Sequence, residues 1–312
     1  MGTLLVWLMK KSCIPTLLKK PYLFRRITTL SYDEFETLTK KLKQEWEERE
    51  ETRLNNKTRI NKIGQGRPYA LGDFSNLLFC ALLYLRTTMG YELLGLLCGI
   101  DQTTVKRVVR RMLPLLQDRF MPDTAINRGK RRTNKLDDLI REYPELAEVL
   151  FDGSDMPIKR PTRRQKYSYS GKKKRHTKKV QIALNKKDKL ILGVSLPKRG
   201  RISDKKQLEK TRWDNKLSVH VVRSADLGYL GMKVWRIPHK RPKGGSLTKS
   251  QKRWNRQFSK ERIFVEHGIR GMKTFRRIGE VITAKTDAFL FTTLLATANL
   301  YNFKRLMRQG LG

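Results

Sequence analysis

Acidic side chains are scarce in this sequence. The 29 Asp and Glu stand against 69 Lys and Arg, a formal net charge of +40 over 312 residues. Such an excess repels itself in a compact chain and needs a polyanionic partner or a solvated role. Nucleic acid is the default partner. Histidine is also scarce. His176, His220, His239 and His267 show no spacing suited to a shared metal, which argues against an imidazole-based centre. Cysteine is limited to Cys13, Cys80 and Cys98, an odd and widely spaced set. That excludes a disulfide framework or a zinc knuckle and fits a reducing cytoplasm or nucleoid. Long hydrophobic runs are lacking too. The longest uncharged stretch, Ala288–Phe303, falls short of the roughly 20 residues a membrane span requires. It also carries Thr292, Thr293, Thr297 and Asn299, so a buried helix is expected there and no membrane partner. Thr3–Met9 is apolar but short, and no charged segment precedes it, so it does not read as a signal sequence. Residues 1–30 are left as a tail without an assigned role.

What is present begins with helices. Ser31 and Glu34 have capping-box spacing, and Phe35, Leu38, Leu42 and Trp46 follow at helical intervals. Residues 55–69, with Gly64, Gly66 and Pro68 among many cations, read as a basic linker. Asp73 is placed to cap a helix through Leu77, Leu78, Ala81, Leu82 and Leu85. Tyr91–Cys98 predicts a short helix that Gly99 terminates, and Asp101 caps the next, with Val105, Val108, Val109 and Met112 inward. Two helices joined by a tight glycine turn, the second one basic, describe a helix-turn-helix over 73–111. Gln102, Thr103, Lys106, Arg107 and Arg110 would face DNA. Residues 31–147 are thus read as a helical DNA-binding region, with a boundary near Tyr143–Glu148.

The second half, 148–307, alternates strand and helix signals, and 308–312 is a short tail. An apolar run through Phe151 delivers Asp152-Gly153-Ser154-Asp155 at the expected end of a strand. Between residues 159 and 179 cations crowd without a single Asp or Glu, among them Lys172, Lys173, Lys174 and Arg175, with Tyr167 and Tyr169 interleaved. That pattern suits phosphate contacts with occasional stacking. Residues 179–184 and 190–196 form a hairpin pattern, 204–212 a helix with Asp204 as its expected N-cap, its alternative role being a group that supports the metal ligands, and 218–224 a strand leading into Ala225-Asp226-Leu227-Gly228. Residues 259–275 read as a helix with Ile263, Ile269 and Met272 on its apolar side. On that helix Arg262, Glu266, Arg270 and Lys273 share a row, one carboxylate among cations. The fold class expected is α/β (α+β).

Two Asp at strand ends and one Glu on a packed helix can converge only through the fold, and together they would repel unless divalent metal neutralised them. Oxygen-only ligands select Mg²⁺ or Mn²⁺ over Zn²⁺. Two such ions about 3.5–4 Å apart suit phosphodiester displacement. Asp155 competes with Asp152 for the first position. Residues three apart on a strand face opposite ways, and Asp152, directly after the apolar run, is preferred.

These residues carry a family resemblance. The stretches from Phe151 to Ile158, Tyr169 to Thr177, Ala225 to Gly231 and Arg262 to His267 resemble insertion-sequence transposases of the DDE superfamily, in the insertion-sequence-five-like branch with a Harbinger-type nuclease domain. The resemblance implies an RNase H-like catalytic domain and a catalytic, metal-binding triad at Asp152, Asp226 and Glu266. It implies hydrolysis at element ends and strand transfer by the freed 3′-hydroxyl. The partners would be double-stranded DNA, both terminal inverted repeats and target, and further copies of the chain in a homo-oligomer. Arg262, Glu266 and Lys273 match the family's Tyr-x2-Arg-x3-Glu-x6-Lys signature, with Ser259 in place of the Tyr. The rival readings are a catalytically inactive or repurposed DNA-binding relative, which the presence of all three acids opposes, and a tyrosine recombinase, for which no Arg/His constellation around a nucleophilic Tyr is evident.

Overall fold

The computed structural model describes residues 17, 19–55, 70–117, 120, 148–211, 221–283 and 286–310. The expected boundary at 143–147, most of the basic linker, residues 1–16 and the first part of the strand at 218–224 lie outside them. The contacts divide the chain into two units. One comprises Met1–Arg119, Thr274–Arg277 and Phe303–Gly312, the other Phe120–Lys273 and Ile278–Asn302.

The first unit is helical. It contains α1 (Pro21–Thr28), α2 (Tyr32–Asn55), α3 (Phe74–Arg86), α4 (Tyr91–Cys98) and α5 (Gln102–Leu115). The capping box forms as read: Ser31 N donates to Glu34 Oε2 at 2.7 Å and Glu34 N to Ser31 Oγ at 3.2 Å. Ser31→Ala is expected to lower the stability of this unit by about 1 kcal/mol, measured by denaturant titration. Asp73 occupies the N-cap of α3 but makes no side-chain cap bond, contrary to the sequence reading. Gly99 adopts the left-handed conformation (φ 66°), and Ile100 N donates to Gly95 O at 2.9 Å to close the turn. A Cβ at Gly95 would meet Ile100 O at 2.6 Å, so this turn also demands glycine one turn earlier. Asp101 Oδ1 then accepts from Thr103 N at 2.7 Å and starts α5. Val105, Val108, Val109 and Met112 are buried, while Gln102, Thr103, Lys106, Arg107 and Arg110 are exposed.

The second unit is a mixed sheet between two helical layers. Its strands are β1 (Glu148–Pro157), β2 (Tyr169–Ser170), β3 (Arg175–Asn185), β4 (Ile191–Val194), β5 (Lys198–Arg199), β6 (Val222–Ser224) and β7 (Trp235–Arg236). β3 pairs antiparallel with β1 from Val149↔Asn185 to Pro157↔Thr177, and β4 pairs antiparallel with the far side of β3. β6 lies parallel to the other side of β1, and β7 parallel to β6. The order β4-β3-β1-β6-β7 is the RNase H-like arrangement. The helices are α6 (Gln165–Ser168), α7 (Asp204–Thr211), α8 (Lys249–Lys273), α9 (Arg276–Gly279) and α10 (Asp287–Arg308), the last two contributing residues to both units.

Side-chain alternation along the strands sorts the core into two layers. Leu150 and Met156 of β1, with Val180, Ile182 and Leu184 of β3, pack with Val265 and Met272 of α8 and Leu294 of α10. Val149, Phe151 and Ala183 face the opposite way, against Leu208 of α7, Ala225 and Tyr229. The apolar stripe of α8 agrees with the sequence at Met272, which is buried, and at Ile269, which packs against the core, but Phe258, Val265 and Gly268 complete it and Ile263 is 42% exposed. Gly268 explains the shift. A Cβ there would meet Leu184 Cδ1 at 2.6 Å, so the helix seats closely on β3 along the glycine side.

Candidate active site

Asp152 sits in the middle of β1, which continues to Pro157, and not at a strand end as the sequence suggested. The reason is that Gly153 keeps the ladder intact opposite Gln181. By alternation Asp152 shares the face of Leu150 and Met156, toward α8. There Arg262 Nη1 lies 3.7 Å from Asp152 Oδ2, and Arg262 Nη2 donates to Glu266 Oε1 at 2.5 Å. One guanidinium, on the turn of α8 before Glu266, thus bridges two acids. Asp226 follows β6, the parallel neighbour of β1, and caps a 3-10 turn (Leu227–Tyr229), accepting from Gly228 N at 2.9 Å. Asp155 points away and accepts from Thr177 Oγ1 at 3.1 Å, as expected for residues three apart.

The charges are felt where burial is deepest. Desolvation raises the Asp152 carboxyl, Arg262 pulls it back, and the negative charges of Asp226 and Glu266 push it up again, to about 6. The Asp152 carboxyl is thus within electrostatic reach of both Asp226 and Glu266.

Asp204 was read as an N-cap and is not one. Ser203 takes that position, accepting on its Oγ from Lys206 N at 3.3 Å. The Asp204 carboxylate instead lies over the glycines that follow the two aspartates. A Cβ at Gly153 would meet Asp204 Oδ1 at 2.2 Å, and one at Gly228 would meet Asp204 Oδ2 at 3.1 Å. Lys179 Nζ approaches Asp204 Oδ1 to 3.2 Å, close enough for an ion pair but without hydrogen-bond alignment, since that oxygen is buried with no hydrogen-bond partner. Behind it Gln181 Nε2 donates to Asp204 O at 2.9 Å and to Tyr229 Oη at 3.0 Å. The signal available in the sequence was the repeated pairing of Asp with a nearby Gly, which reads as turn chemistry until Asp204 fills the space.

A second charge cluster fixes α8. Glu148 of β1 accepts from Lys186 Nζ at 2.6 Å and from Arg236 Nη1 at 2.8 Å. Glu261 of α8 accepts from the same two groups, both at 2.8 Å. Ser224 Oγ also donates to Glu148 Oε1 at 2.9 Å. Residues from β1, β6, β7, α8 and the β3–β4 turn are thereby tied together one position before Arg262.

The expected DNA-contacting cations fall into two sets. Lys172, Lys173, Lys174 and Arg175 are exposed at the β2–β3 turn, where Lys174 is left-handed (φ 48°), and Arg270 is exposed on α8. Arg262 and Lys273 are engaged internally. Lys273 Nζ donates to Asp155 O at 3.3 Å, and burial, with Lys173 nearby, holds its pKa below the usual lysine range.

The donor set Asp152, Asp226 and Glu266 is all oxygen, which fits a hard divalent ion. Among the described residues no three His, Cys, Asp or Glu side chains lie close enough to wrap an ion as they stand, and Glu266 is paired with Arg262.

The sheet order, with Asp152 within β1, Asp226 just past the parallel β6 and Glu266 on a packed helix, places the chain in the RNase H-like fold class. The model of the DDE superfamily endonuclease family matches residues 151–302, and that of the helix-turn-helix of DDE superfamily endonuclease matches residues 69–122. The chain is 31% identical over 229 residues to the probable transposase for insertion sequence element IS702 of Microchaete diplosiphon, covering 72% of this chain and 78% of that protein. It belongs to the DDE-superfamily insertion-sequence transposases. Endonucleases of this superfamily generally use divalent metal ions. Two solved structures of the Mos1 transposase, a paired-end complex with left transposon end and a pre-cleavage transpososome, align at 12% and 13% identity. They cover 74% and 83% of this chain and 83% and 85% of theirs, with TM-scores of 0.21 and 0.20, too low to bear on the fold. No described helix is long and apolar enough to cross a membrane.

Proposed function

We propose that this transposase breaks phosphodiester bonds at the ends of its element with Asp152, Asp226 and Glu266 and joins the freed 3′-hydroxyl to target DNA. The observation that supports the reading is geometric: the Arg262 guanidinium lies 3.7 Å from Asp152 Oδ2 and donates to Glu266 Oε1, and Asp226 stands just past the strand parallel to β1. Divalent metal, Mg²⁺ or Mn²⁺ and two ions by the charge of the set, would supply Lewis-acid stabilisation and an activated water when held by these carboxylates. The chain's own residues do the rest. Asp152 presents its carboxylate from β1 and Asp226 from the turn just past the neighbouring β6, and Arg262 neutralises Asp152 and Glu266 until substrate and metal arrive. Released from Glu266, Arg262 is a phosphate ligand suited to bidentate contact. The exposed face of α5 reads the element ends, and the β2–β3 turn and Arg270 hold phosphates. We further infer that residues 31–147 form the recognition region and 148–307 the catalytic one. The protein acts as a homo-oligomer on paired ends in the nucleoid.

The test is strand cleavage on end-containing DNA with Mg²⁺. Wild type is expected to nick at the element boundary, and Asp226→Asn to be inactive while still binding. Full cleavage by Asp226→Asn would overturn the triad. Neutralising Lys172 and Lys173 is expected to weaken binding alike on all sequences and to flatten the salt dependence by about one unit of slope per lost contact. Gly153→Ala must displace the Asp204 carboxylate. It is expected to lower cleavage by about tenfold to a hundredfold through misplacement of Asp152, with DNA affinity unchanged.

A further inference from the structure

A groove of about 710 Å³ opens beside the basic turn, lined by Arg160, Gln165, Lys166, Tyr169, His176 and Arg201. Its contents are unusual for a surface that only meets phosphates. Three of the six side chains are cations, none is acidic, and Arg160, Lys166 and Arg201 have no carboxylate partner among the described residues. Tyr169 is 43% exposed, and the edge-to-face contact of its ring with His176 (centroids 5.6 Å apart, planes at 72°) holds it upright. His176 is fixed in turn by Ser168 Oγ, 3.0 Å from its Nδ1. Arg160 donates from both Nε and Nη2 to Gln165 Oε1, at 3.0 and 2.8 Å. That contact uses the amide oxygen and orients the group, while the Gln165 amide nitrogen keeps both donors.

A duplex keeps its base faces stacked and meets a protein with phosphates and groove edges. A concave site with an aromatic face, a planar amide and a cationic rim suits something else: a base out of its stack, with its own phosphate. The volume falls in the range that encloses a small ligand such as one nucleotide. The groove adjoins the basic turn, since Lys172, Lys173 and Lys174 lie between its lining residues Tyr169 and His176.

We propose that this groove binds one unpaired nucleotide of the DNA substrate, its base stacked on Tyr169 and contacted by the Gln165 amide, its phosphate held by Arg160, Lys166 and Arg201. The proposal rests on the reading of the chain as a DNA-cleaving transposase and adds to it a preference for locally unpaired DNA. It involves no bond making or breaking.

The test compares two short duplexes that share an element end, one blunt and one with a single unpaired aminopurine next to the cleavage position. Affinity is read by anisotropy and base stacking by aminopurine fluorescence. Wild type is expected to bind the unpaired form about tenfold more tightly and to quench its fluorescence. Tyr169→Ala and, separately, Gln165→Ala are expected to remove most of that preference and of the quenching, with blunt-duplex affinity held within about twofold. Tyr169→Phe is expected to retain both, since the ring and not the hydroxyl does the stacking. Equal affinity of wild type for the two duplexes would overturn the proposal. So would equal loss on both duplexes in Tyr169→Ala and Gln165→Ala, which would leave only a phosphate or structural role. Absence of binding to either duplex would instead overturn the DNA-binding reading on which the proposal stands.

Discussion

Asp152→Asn is expected to abolish cleavage and, in the same protein, to raise the melting temperature. The loss of activity follows from removing a carboxylate that faces Arg262 and is within electrostatic reach of Asp226 and Glu266; a fall of about a thousandfold or more is expected from the several kcal/mol such a ligand contributes to charge stabilisation. The gain in stability follows from burial. Folding moves this carboxyl from an ordinary 3.8 to about 6. The folded state therefore binds the proton more tightly than the unfolded chain, and the cost of ionising the group in place is fully present above about pH 6 and absent below about pH 4. The gap corresponds to about 3 kcal/mol, an upper bound on what an isosteric neutral amide regains near neutral pH. Thermal unfolding across this window, in chelator, checks the sign: the difference between variant and wild type should shrink as the pH falls. A lowered melting temperature at neutral pH would show that Arg262 outweighs burial.

Glu261→Gln is expected to cost about 2–3 kcal/mol and to reduce cleavage although Glu261 touches none of the proposed reacting groups. Its carboxylate and that of Glu148 alternate with Lys186 and Arg236, and all four side chains are less than a third exposed. Removing one negative charge leaves two cations sharing one anion at close range. Burial pushes the Glu261 carboxyl up, and Lys186 and Arg236 more than offset this and hold it below the usual carboxylate range. Stability from a depressed group is complete above its unfolded value, near 4.5, and is lost as the pH falls through the folded one. Acid thus acts oppositely on the two glutamate and aspartate sites: it relieves Asp152 and breaks the clamp. The clamp variant should flatten the acid limb of the stability profile, measured by denaturant titration at several pH values. Because Glu261 immediately precedes Arg262, loosening the helix should also lower kcat with little change in DNA affinity.

Much of this was legible in the sequence because local patterns carried it. The capping box at Ser31, the turn at Gly99, the Asp101 cap and the hairpin around Asn185 all formed, each set by residues a few positions apart. Asp152, Asp226 and Glu266 stand out in the sequence as acids in a basic chain beside apolar runs, which makes them the candidate triad. What was not legible depends on distant neighbours. Nothing local says that β1 continues past Asp152, since that is fixed by its pairing with β3. Nothing near Asp204 says that its carboxylate crosses to Gly153 and Gly228. On the inward side of α8 only Ile263 was misplaced, because a glycine, Gly268, marks closest approach there and hydrophobicity alone favours Ile263. The ring of Glu148, Lys186, Arg236 and Glu261 draws on four separate segments, so no window of sequence contains it.

The guanidinium shared by Asp152 and Glu266 has a consequence for how such a protein exists between reactions. A site of crowded acids that lacks an internal cation depends on its ion for folding as well as for chemistry, as small metal-organised domains do. Here the counter-charge is covalently part of the chain and sits one helical turn from the residue it neutralises. On the proposed reading, folding of this region does not wait for an ion, and the charge-driven search for an element end is separable in time from the cutting of that end.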